Sequence, residues 1–423
     1  MDFGEFVRIF FKRRGQDIFL SSVVEKVARL LMVIWITHVV PKDEVGLVVY
    51  AQTSLIFIIP FIGLGINQGF IRYGALSDSQ SEKKNLFVII LRKGLSYSSI
   101  MMMIVIALSP WITKNMPEAR LYLILLSFQF ISLFLMESIK IYVRLLNLNR
   151  LYARINIVYS VVLLLAAMVF SLFKGALGYA VALSFTAFPL ALYYIKRLKI
   201  SVASPVSPLF DLKKFLQYGL VASLVNVLSQ LLFAVDIILI GNVLPGSEEL
   251  IAQYKVSNII PFSMLILGLV FVRAEYVRLT YMSKKDRGYL FRYYRNYLKV
   301  FFMFGLSMLV FFYFFSGDLL RLFGKSYAGG GELMFIFAVG VVGGLLFRVP
   351  MGSMLTAIGW VKLNALNSFV VFLLNVGLSY WAILHWGIRG AAFVTSGLMW
   401  ISGLFSLVAV WYFVKYGEKY PVE

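Results

Sequence analysis

The chain has 423 residues, of which 61% are hydrophobic and only 14% charged, and its formal net charge is +20. A soluble domain has roughly 45–50% apolar and about 25% charged residues, so the composition excludes most soluble enzymes, nucleic-acid-binding domains and disordered proteins. The apolar side chains must face lipid, and an excess of Lys and Arg is typical of the cytoplasmic loops of membrane proteins. The sequence contains no Cys, which excludes disulfides and thiolate metal sites.

Apolar stretches long enough to cross a membrane follow one another along the whole chain. A spanning helix needs about 20 mostly apolar residues, and these runs are too long and lack the alternation of membrane β-strands. We therefore expect an all-α membrane protein. Its twelve predicted spans, numbered 1 to 12, cover residues 18–40, 45–70, 86–112, 118–145, 152–173, 176–195, 215–243, 249–272, 293–315, 332–358, 362–384 and 390–414.

The basic residues predict the orientation of these spans. With a cytoplasmic N-terminus, 29 Lys and Arg residues fall in the inside segments and 7 in the outside segments. Because short cytoplasmic loops are enriched in Lys and Arg, both termini are expected in the cytoplasm.

Two pairs of sequence matches predict an internal repeat. Pro41, Glu44 and Tyr50 match Pro245, Glu248 and Tyr254 at an offset of 204. Gly175 and Gly178 match Gly387 and Gly390 at an offset of 212. Chance is the alternative, since both motifs are common in membrane proteins. A true repeat gives two parallel six-helix halves around a central cavity, at residues 1–197 and 215–423, with a cytoplasmic linker at 198–214.

Basic residues inside the predicted spans indicate what such a cavity would bind. Charges deep in a spanning helix are costly, so they usually face water or a partner. The basic residues in or at the ends of the spans that we assign to the substrate are Lys26, Arg29, Arg72, Lys255 and Arg348. Together they favour a phosphate or pyrophosphate group. The structural alternatives are that Arg72 extends to lipid head groups and that Glu25 pairs with Arg29 four residues later.

Acidic and neutral polar residues suggest how transport is driven. Asp236 lies about 13 Å from the outer end of span 7, and its repeat counterpart is Met32. Asn375 and Ser379 lie on span 11, and Thr395 lies on span 12. If these spans converge, their oxygens can coordinate a sodium ion or relay a proton. The alternative is a structural Asp236 that is hydrogen-bonded by a neighbouring Asn or paired with Lys255.

Catalytic and nucleotide-binding motifs are absent from the sequence. The longest external loop covers only residues 316–331, and we expect its three consecutive glycines, residues 329–331, to form a flexible loop. Membrane glycosyltransferases and polymerases usually need a larger folded element outside the bilayer. We therefore expect a transporter that uses no cofactor and is not an enzyme.

Three segments together resemble a known family. They are the Gly-rich stretch 63–73 that ends span 2 with Arg72, the turn 236–254 that contains Asp236, Pro245 and Tyr254, and the loop 144–152. Over essentially the whole chain, the sequence resembles the polysaccharide flippases, which translocate O-antigen or other oligosaccharide repeat units. They belong to the multidrug/oligosaccharidyl-lipid/polysaccharide exporter (MOP) superfamily.

The resemblance implies a multi-pass protein of the bacterial inner membrane. It would move an undecaprenyl-diphosphate-linked oligosaccharide from the inner to the outer leaflet by alternating access. Lys26, Arg29, Lys255 and Arg348 would bind the diphosphate or acidic sugars, and Arg72 would receive the head group. The implied partners are membrane lipids, a polysaccharide polymerase and chain-length proteins. Binding of nucleic acid is not expected.

Ion coupling is also part of the resemblance. Groups like Asp236, Asn375 and Thr395 bind sodium in some lipid flippases of the superfamily. Ser379 supplies no second carboxylate here, so proton coupling through Asp236 or Glu25 remains open. The alternatives in function are a multidrug antiporter of the same superfamily, which usually has an acidic site for cationic drugs on span 1, and a membrane polysaccharide polymerase.

Overall fold

The computed structural model describes residues 15–58, 62–63, 65–76, 79–200 and 212–416. Within these ranges every regular element is helical. In the described part of the chain, seven helical stretches are long and apolar enough to cross a membrane by length and composition. The two longest, Asn149–Arg197 and Val361–Tyr416, each contain two of the predicted spans. The predicted all-α membrane fold is therefore confirmed.

The chain forms two compact units, Met1–Val227 and Leu228–Glu423. The boundary falls inside one long helix, so the predicted halves 1–197 and 215–423 stay a prediction. Residues 201–211 of the predicted linker lie outside the described residues.

The helices that precede this boundary are numbered α1 to α8. They are α1 Gly15–Val39, α2 Lys42–Ile56, α3 Ile66–Leu76, α4 Gln80–Ile112, α5 Ala119–Ser127, α6 Gln129–Leu145, α7 Asn149–Phe185 and α8 Ala187–Arg197. α1 packs along α7, where the indole nitrogen of Trp35 donates a hydrogen bond of 3.0 Å to Ser171 Oγ. Phe173, on the opposite side of α7, is 78% exposed, as a lipid-facing residue should be.

The helix that contains the boundary and those after it are α9 to α15. They are α9 Leu212–Val243, α10 Glu248–Ser263, α11 Leu265–Lys285, α12 Gly288–Arg321, α13 Gly331–Gly343, α14 Val349–Ala357 and α15 Val361–Tyr416. A π-helical turn, Gly344–Arg348, joins α13 to α14. α13 packs along α15 through small residues: a methyl group added to Gly340 would lie 2.6 Å from Ser396 Oγ, so the helices approach closely only with glycine there.

The second predicted repeat match has the same backbone geometry in both copies. Gly175 breaks α7 at φ 54° and ψ −134°, and Gly387 breaks α15 at φ 58° and ψ −143°. This region is essentially restricted to glycine. Three residues after each break, a methyl group on Gly178 or Gly390 would lie about 2 Å from a backbone oxygen eight residues earlier, at 1.8 Å and 2.2 Å respectively. Each motif therefore separates two spans in the same way.

The first predicted match is reproduced only in part. α2 begins directly after Pro41, whereas α10 begins at Glu248, after Gly246 has turned the chain at φ 60°. Tyr50 and Tyr254 are both fully buried. Their hydroxyl groups have different acceptors, because Tyr50 donates to the carbonyl of Ile112 at 3.2 Å and Tyr254 donates to a carboxylate.

The expectation of a flexible glycine loop near residue 330 is wrong. Residues Lys325–Gly330 form a 3₁₀-helix, and Tyr327 is fully buried. Gln253 Nε2 on α10 donates a hydrogen bond of 2.9 Å to the carbonyl of Tyr327. The buried ring of Tyr327 and the hydrogen bond from Gln253 hold this segment against α10. The glycines in the sequence give no indication of these contacts.

Candidate functional site

A cluster of buried oxygen atoms surrounds Asp236 in the C-terminal unit. Asp236 lies on α9 and is 1% exposed. Its Oδ2 accepts hydrogen bonds of 2.5 Å from Tyr254 Oη and 2.5 Å from Thr395 Oγ1. Its Oδ1 lies 3.1 Å from Ser379 Oγ. The carboxylate therefore has three hydroxyl groups as neighbours and is shielded from solvent.

Asn375 completes the cluster, because its side chain hydrogen-bonds the Asp236 carboxylate and also accepts from Ser379. Ser379 Oγ lies 2.7 Å from Asn375 Oδ1 as well as 3.1 Å from Asp236 Oδ1. A hydroxyl group has one hydrogen to donate, so it can satisfy only one of these two acceptors at a time. A proton or a cation bound at one of these oxygens would leave Ser379 to donate to the other.

The positions of these side chains follow from the helices that carry them. Asn375 and Ser379 are four residues apart on α15 and so lie on one face of that helix. Thr395 follows the break at Gly387, which allows the second part of α15 to lie beside the first. Tyr254 is on α10, after the turn at Gly246 that reverses the chain from α9.

The chemistry of the cluster suits a small hard cation. Four side chains, Asp236, Asn375, Ser379 and Thr395, can contribute oxygen atoms, and only Asp236 carries a formal charge. Carboxylate, amide and hydroxyl oxygens are the ligands that hard cations prefer. The same arrangement can hold a proton on Asp236, because neighbouring hydroxyl groups can reorient from donors to acceptors.

The sequence prediction of this cluster was incomplete in one respect. It named Asp236, Asn375, Ser379 and Thr395, which the structure brings together, but it used Tyr254 only as a marker of the repeat. The alternative partner Lys255 is the next residue on α10, about 100° further around the helix, and is half-buried. The match of Tyr254 to Tyr50 in the repeat was the one sequence feature that could have indicated a buried hydroxyl group near the turn.

The predicted acidic and basic residues of α1 lie in the N-terminal unit. Arg29 Nη2 is 2.9 Å from Glu25 Oε1, so the predicted pair between residues four apart is present. Asn156 Nδ2 on α7 donates a hydrogen bond of 3.0 Å to the other oxygen, Glu25 Oε2. Lys26 is exposed, and the side chain of Arg29 is 63% exposed. The carboxylate is therefore engaged on both oxygens while the two cations remain accessible.

Arg348 lies at an irregular point of the C-terminal unit, the last residue of the π-helical turn. Val349 N donates to the carbonyl of Gly344, five residues earlier. Val349 N therefore does not donate to the carbonyl of Leu345, and Pro350 has no N–H to donate to the carbonyl of Leu346. Tyr297 and Tyr294 on α12 replace those donors, with hydrogen bonds of 2.9 Å and 3.2 Å. π-Helical turns occur often at functional sites.

The predicted substrate residues are distributed over both units. Lys26 and Arg29 belong to the N-terminal unit, and Lys255 and Arg348 belong to the C-terminal unit. Arg72 lies on α3, and its side chain is outside the described part of the structure. The expectation that these residues line one cavity stays a prediction.

Comparison with known proteins gives matches to solved structures. No family model and no curated protein sequence matches the chain. An inward-facing multidrug resistance MATE family transporter of the MOP superfamily superimposes with a TM-score of 0.70 at 17% identity, over 93% of this chain and 96% of that chain. The lipid II flippase MurJ superimposes with a TM-score of 0.71 at 17% identity, over 93% of this chain and 87% of that chain.

A third structure of the same kind comes from Pyrococcus furiosus. This MOP superfamily transporter is described as having a binding pocket of reversed polarity, and it matches with a TM-score of 0.64 at 17% identity over 95% of both chains. All three structures are transporters, and each match covers most of both chains. The chain is therefore a multi-pass membrane protein with the fold of the MOP superfamily transporters.

Proposed function

We propose that the chain is a flippase for an undecaprenyl-diphosphate-linked oligosaccharide, either an O-antigen unit or a related polysaccharide repeat unit. It moves this substrate from the inner to the outer leaflet of the bacterial inner membrane by alternating access, with both termini in the cytoplasm. Its fold is that of transporters, and one protein with this fold is a lipid II flippase. A polysaccharide polymerase and chain-length proteins would act on the exported units.

The charge on α1 carries this proposal. Both oxygens of Glu25 are engaged, by Arg29 and by Asn156. Lys26 and Arg29 are exposed, so this part of α1 presents net positive charge. A planar guanidinium can hold a phosphate through two hydrogen bonds, and a lysine adds a point charge. This surface suits a diphosphate better than it suits an organic cation.

In this proposal the Asp236 cluster is the binding site of the coupling ion. A cation or a proton that binds there neutralises the buried carboxylate, and this changes the hydrogen bonds between Asp236 and the amide and hydroxyl groups around it. Sodium would be held by Asp236, Asn375 and Thr395, with Ser379 as a further neutral oxygen. A proton on Asp236, or on Glu25 in the N-terminal unit, is the alternative form of coupling.

A multidrug antiporter is the second candidate function, because proteins with this fold include MATE transporters. Such a protein would export organic cations. A drug-resistance profile of cells with and without the gene separates the two functions. Unchanged resistance together with loss of surface glycan supports the flippase, and the opposite pattern supports the antiporter.

Charge reversal tests the role of the basic residues. We expect Arg29→Glu and Arg348→Glu each to abolish surface glycan while the protein remains in the membrane at its normal level. Lys replacing Arg should be milder, because a lysine keeps the charge but loses the two-point contact with phosphate. Lys84→Glu is the matched control, since Lys84 is exposed near the start of α4. Normal glycan in both reversal variants would reject the proposed substrate contacts.

A further inference from the structure

A groove on the C-terminal unit is lined by residues that do not belong to the Asp236 cluster. It is formed by the residues that join α14 to α15 and by the last turns of α15, and it has a volume of about 780 Å³. Its walls include Leu363, Phe405, Val408 and Tyr412. This volume is within the range of small-molecule sites. Val408 is 63% exposed, so the groove opens to the outside of the unit.

One end of the groove carries positive charge. Lys362 lines it and is exposed. Trp360, also a lining residue, packs against Phe413 with ring centroids 5.4 Å apart. The guanidinium carbon of Arg287 lies 5.1 Å from the centre of the same Phe413 ring. The groove therefore has apolar walls along most of its length and basic side chains at one end.

A further basic side chain among the described residues lies near this end. Lys415 Nζ lies 4.9 Å from the Trp411 ring, on the same last turns of α15. Asp286, next to Arg287 in sequence, is paired with Arg292. Tryptophan and tyrosine side chains prefer the level of the lipid head groups, which places this end of the groove at the membrane surface. The charge distribution of the sequence predicts that this surface is the cytoplasmic one.

We propose that the groove is a binding site for an anionic glycerophospholipid of the inner leaflet. Its headgroup phosphate contacts Lys362, and an acyl chain lies along Phe405 and Val408. Basic pockets at the cytoplasmic end of spanning helices recognise acidic lipids. A free phosphate would leave the apolar walls unused, and a neutral lipid would leave the cationic end uncompensated. This site goes beyond the proposed translocation, which places the substrate on other residues.

The experiment measures lipid binding to the purified full chain by native mass spectrometry. The probes are phosphatidylglycerol, which is anionic, and phosphatidylethanolamine, which is zwitterionic. We expect Lys362→Gln to weaken phosphatidylglycerol binding about fivefold, the contribution of one basic residue near an anionic headgroup. Binding of phosphatidylethanolamine should not change. Lys299→Gln is the matched control, because Lys299 is exposed on α12 and carries the same charge.

A second pair of variants tests the apolar part of the groove. Val408→Trp fills the groove and should reduce the number of phosphatidylglycerol molecules retained, whereas Val300→Trp places the same side chain on the exposed face of α12 and should not. Equal effects of the two lysine variants, or unchanged binding in Val408→Trp, would reject the site. Displacement of phosphatidylglycerol by an equal concentration of a polyprenyl phosphate would also reject it, because the occupant would then be a prenyl chain. The readout is binding, so a failure of the translocation proposal would not alter it.

Discussion

Thr395 Oγ1 lies 2.5 Å from Oδ2 of Asp236, although the two residues are 159 positions apart in the sequence. Tyr254 donates to the same oxygen. Burying an ionised group without hydrogen bonds is very costly. The two hydroxyl groups offset part of that cost for the buried carboxylate of Asp236. The charge of Asp236 is therefore the property to change first.

The first prediction concerns that charge. Asp236→Asn keeps the shape and most hydrogen-bonding capacity of the side chain but removes its charge. We expect ion-dependent transport in reconstituted vesicles to fall by about tenfold or more, the scale of losing a charge-assisted contact. Asp318→Asn is the control, because Asp318 is exposed and pairs only locally with Arg321 at 2.7 Å. Full transport with unchanged ion dependence in Asp236→Asn would exclude this residue from coupling.

The second prediction compares the two repeat-related tyrosines. Tyr254→Phe removes a hydrogen bond to a carboxylate, whereas Tyr50→Phe removes one to a neutral carbonyl. Hydrogen bonds to charged groups contribute about 1.5–3 kcal/mol and neutral ones about 0.5–1.5 kcal/mol. Tyr254→Phe should therefore lower the Tm of the purified protein more than Tyr50→Phe does. The difference between the two Tm decreases should be smaller in the Asp236→Asn background. An unchanged difference would mean that the hydrogen bond from Tyr254 does not depend on the charge of Asp236.

The third prediction concerns the glycine breaks. A methyl group on Gly387 meets no atom within 4 Å, so any cost of Gly387→Ala comes from the backbone. At φ 58° and ψ −143° that cost is on the order of 1–3 kcal/mol. Gly377, within the same helix, also has open space for a methyl group. Gly377→Ala should therefore stabilise the protein by about 0.5–1 kcal/mol. Thermal unfolding in detergent gives both values, and equal Tm shifts would contradict the backbone argument.

The fourth prediction concerns topology. The sequence has no Cys, so single cysteines can be labelled without background. A membrane-impermeant maleimide should label Lys325→Cys on intact inner-membrane vesicles of native orientation and Lys84→Cys only on inverted vesicles. Both positions are exposed in the structure. Nine predicted spans precede Lys325, which places it outside when the N-terminus is cytoplasmic. Labelling of Lys325→Cys from the cytoplasmic side would require an even number of spans before it and would reject the predicted topology.

Local patterns in the sequence were sufficient for the helices and their breaks. Apolar runs of spanning length predicted helices wherever the structure describes them, because the hydrocarbon core fixes the length of a spanning helix. The spacing of Gly175 and Gly178, repeated in Gly387 and Gly390, marked the two points where a long helix divides. Only glycine can adopt that backbone geometry, so the residue identity carries the information.

The tertiary structure decided which polar groups meet. Asp236 could have been satisfied by a neighbouring amide or by Lys255, and the sequence did not choose between them. The structure gives it a neighbouring amide, Asn375, together with the hydroxyl groups of Tyr254, Ser379 and Thr395, all from two other helices. Likewise, the glycines near residue 330 indicated a flexible loop, but Tyr327 is buried and held by Gln253 on α10. Hydropathy and backbone preferences act over a few residues, whereas a hydrogen bond between distant helices depends on how those helices pack, which no local pattern encodes.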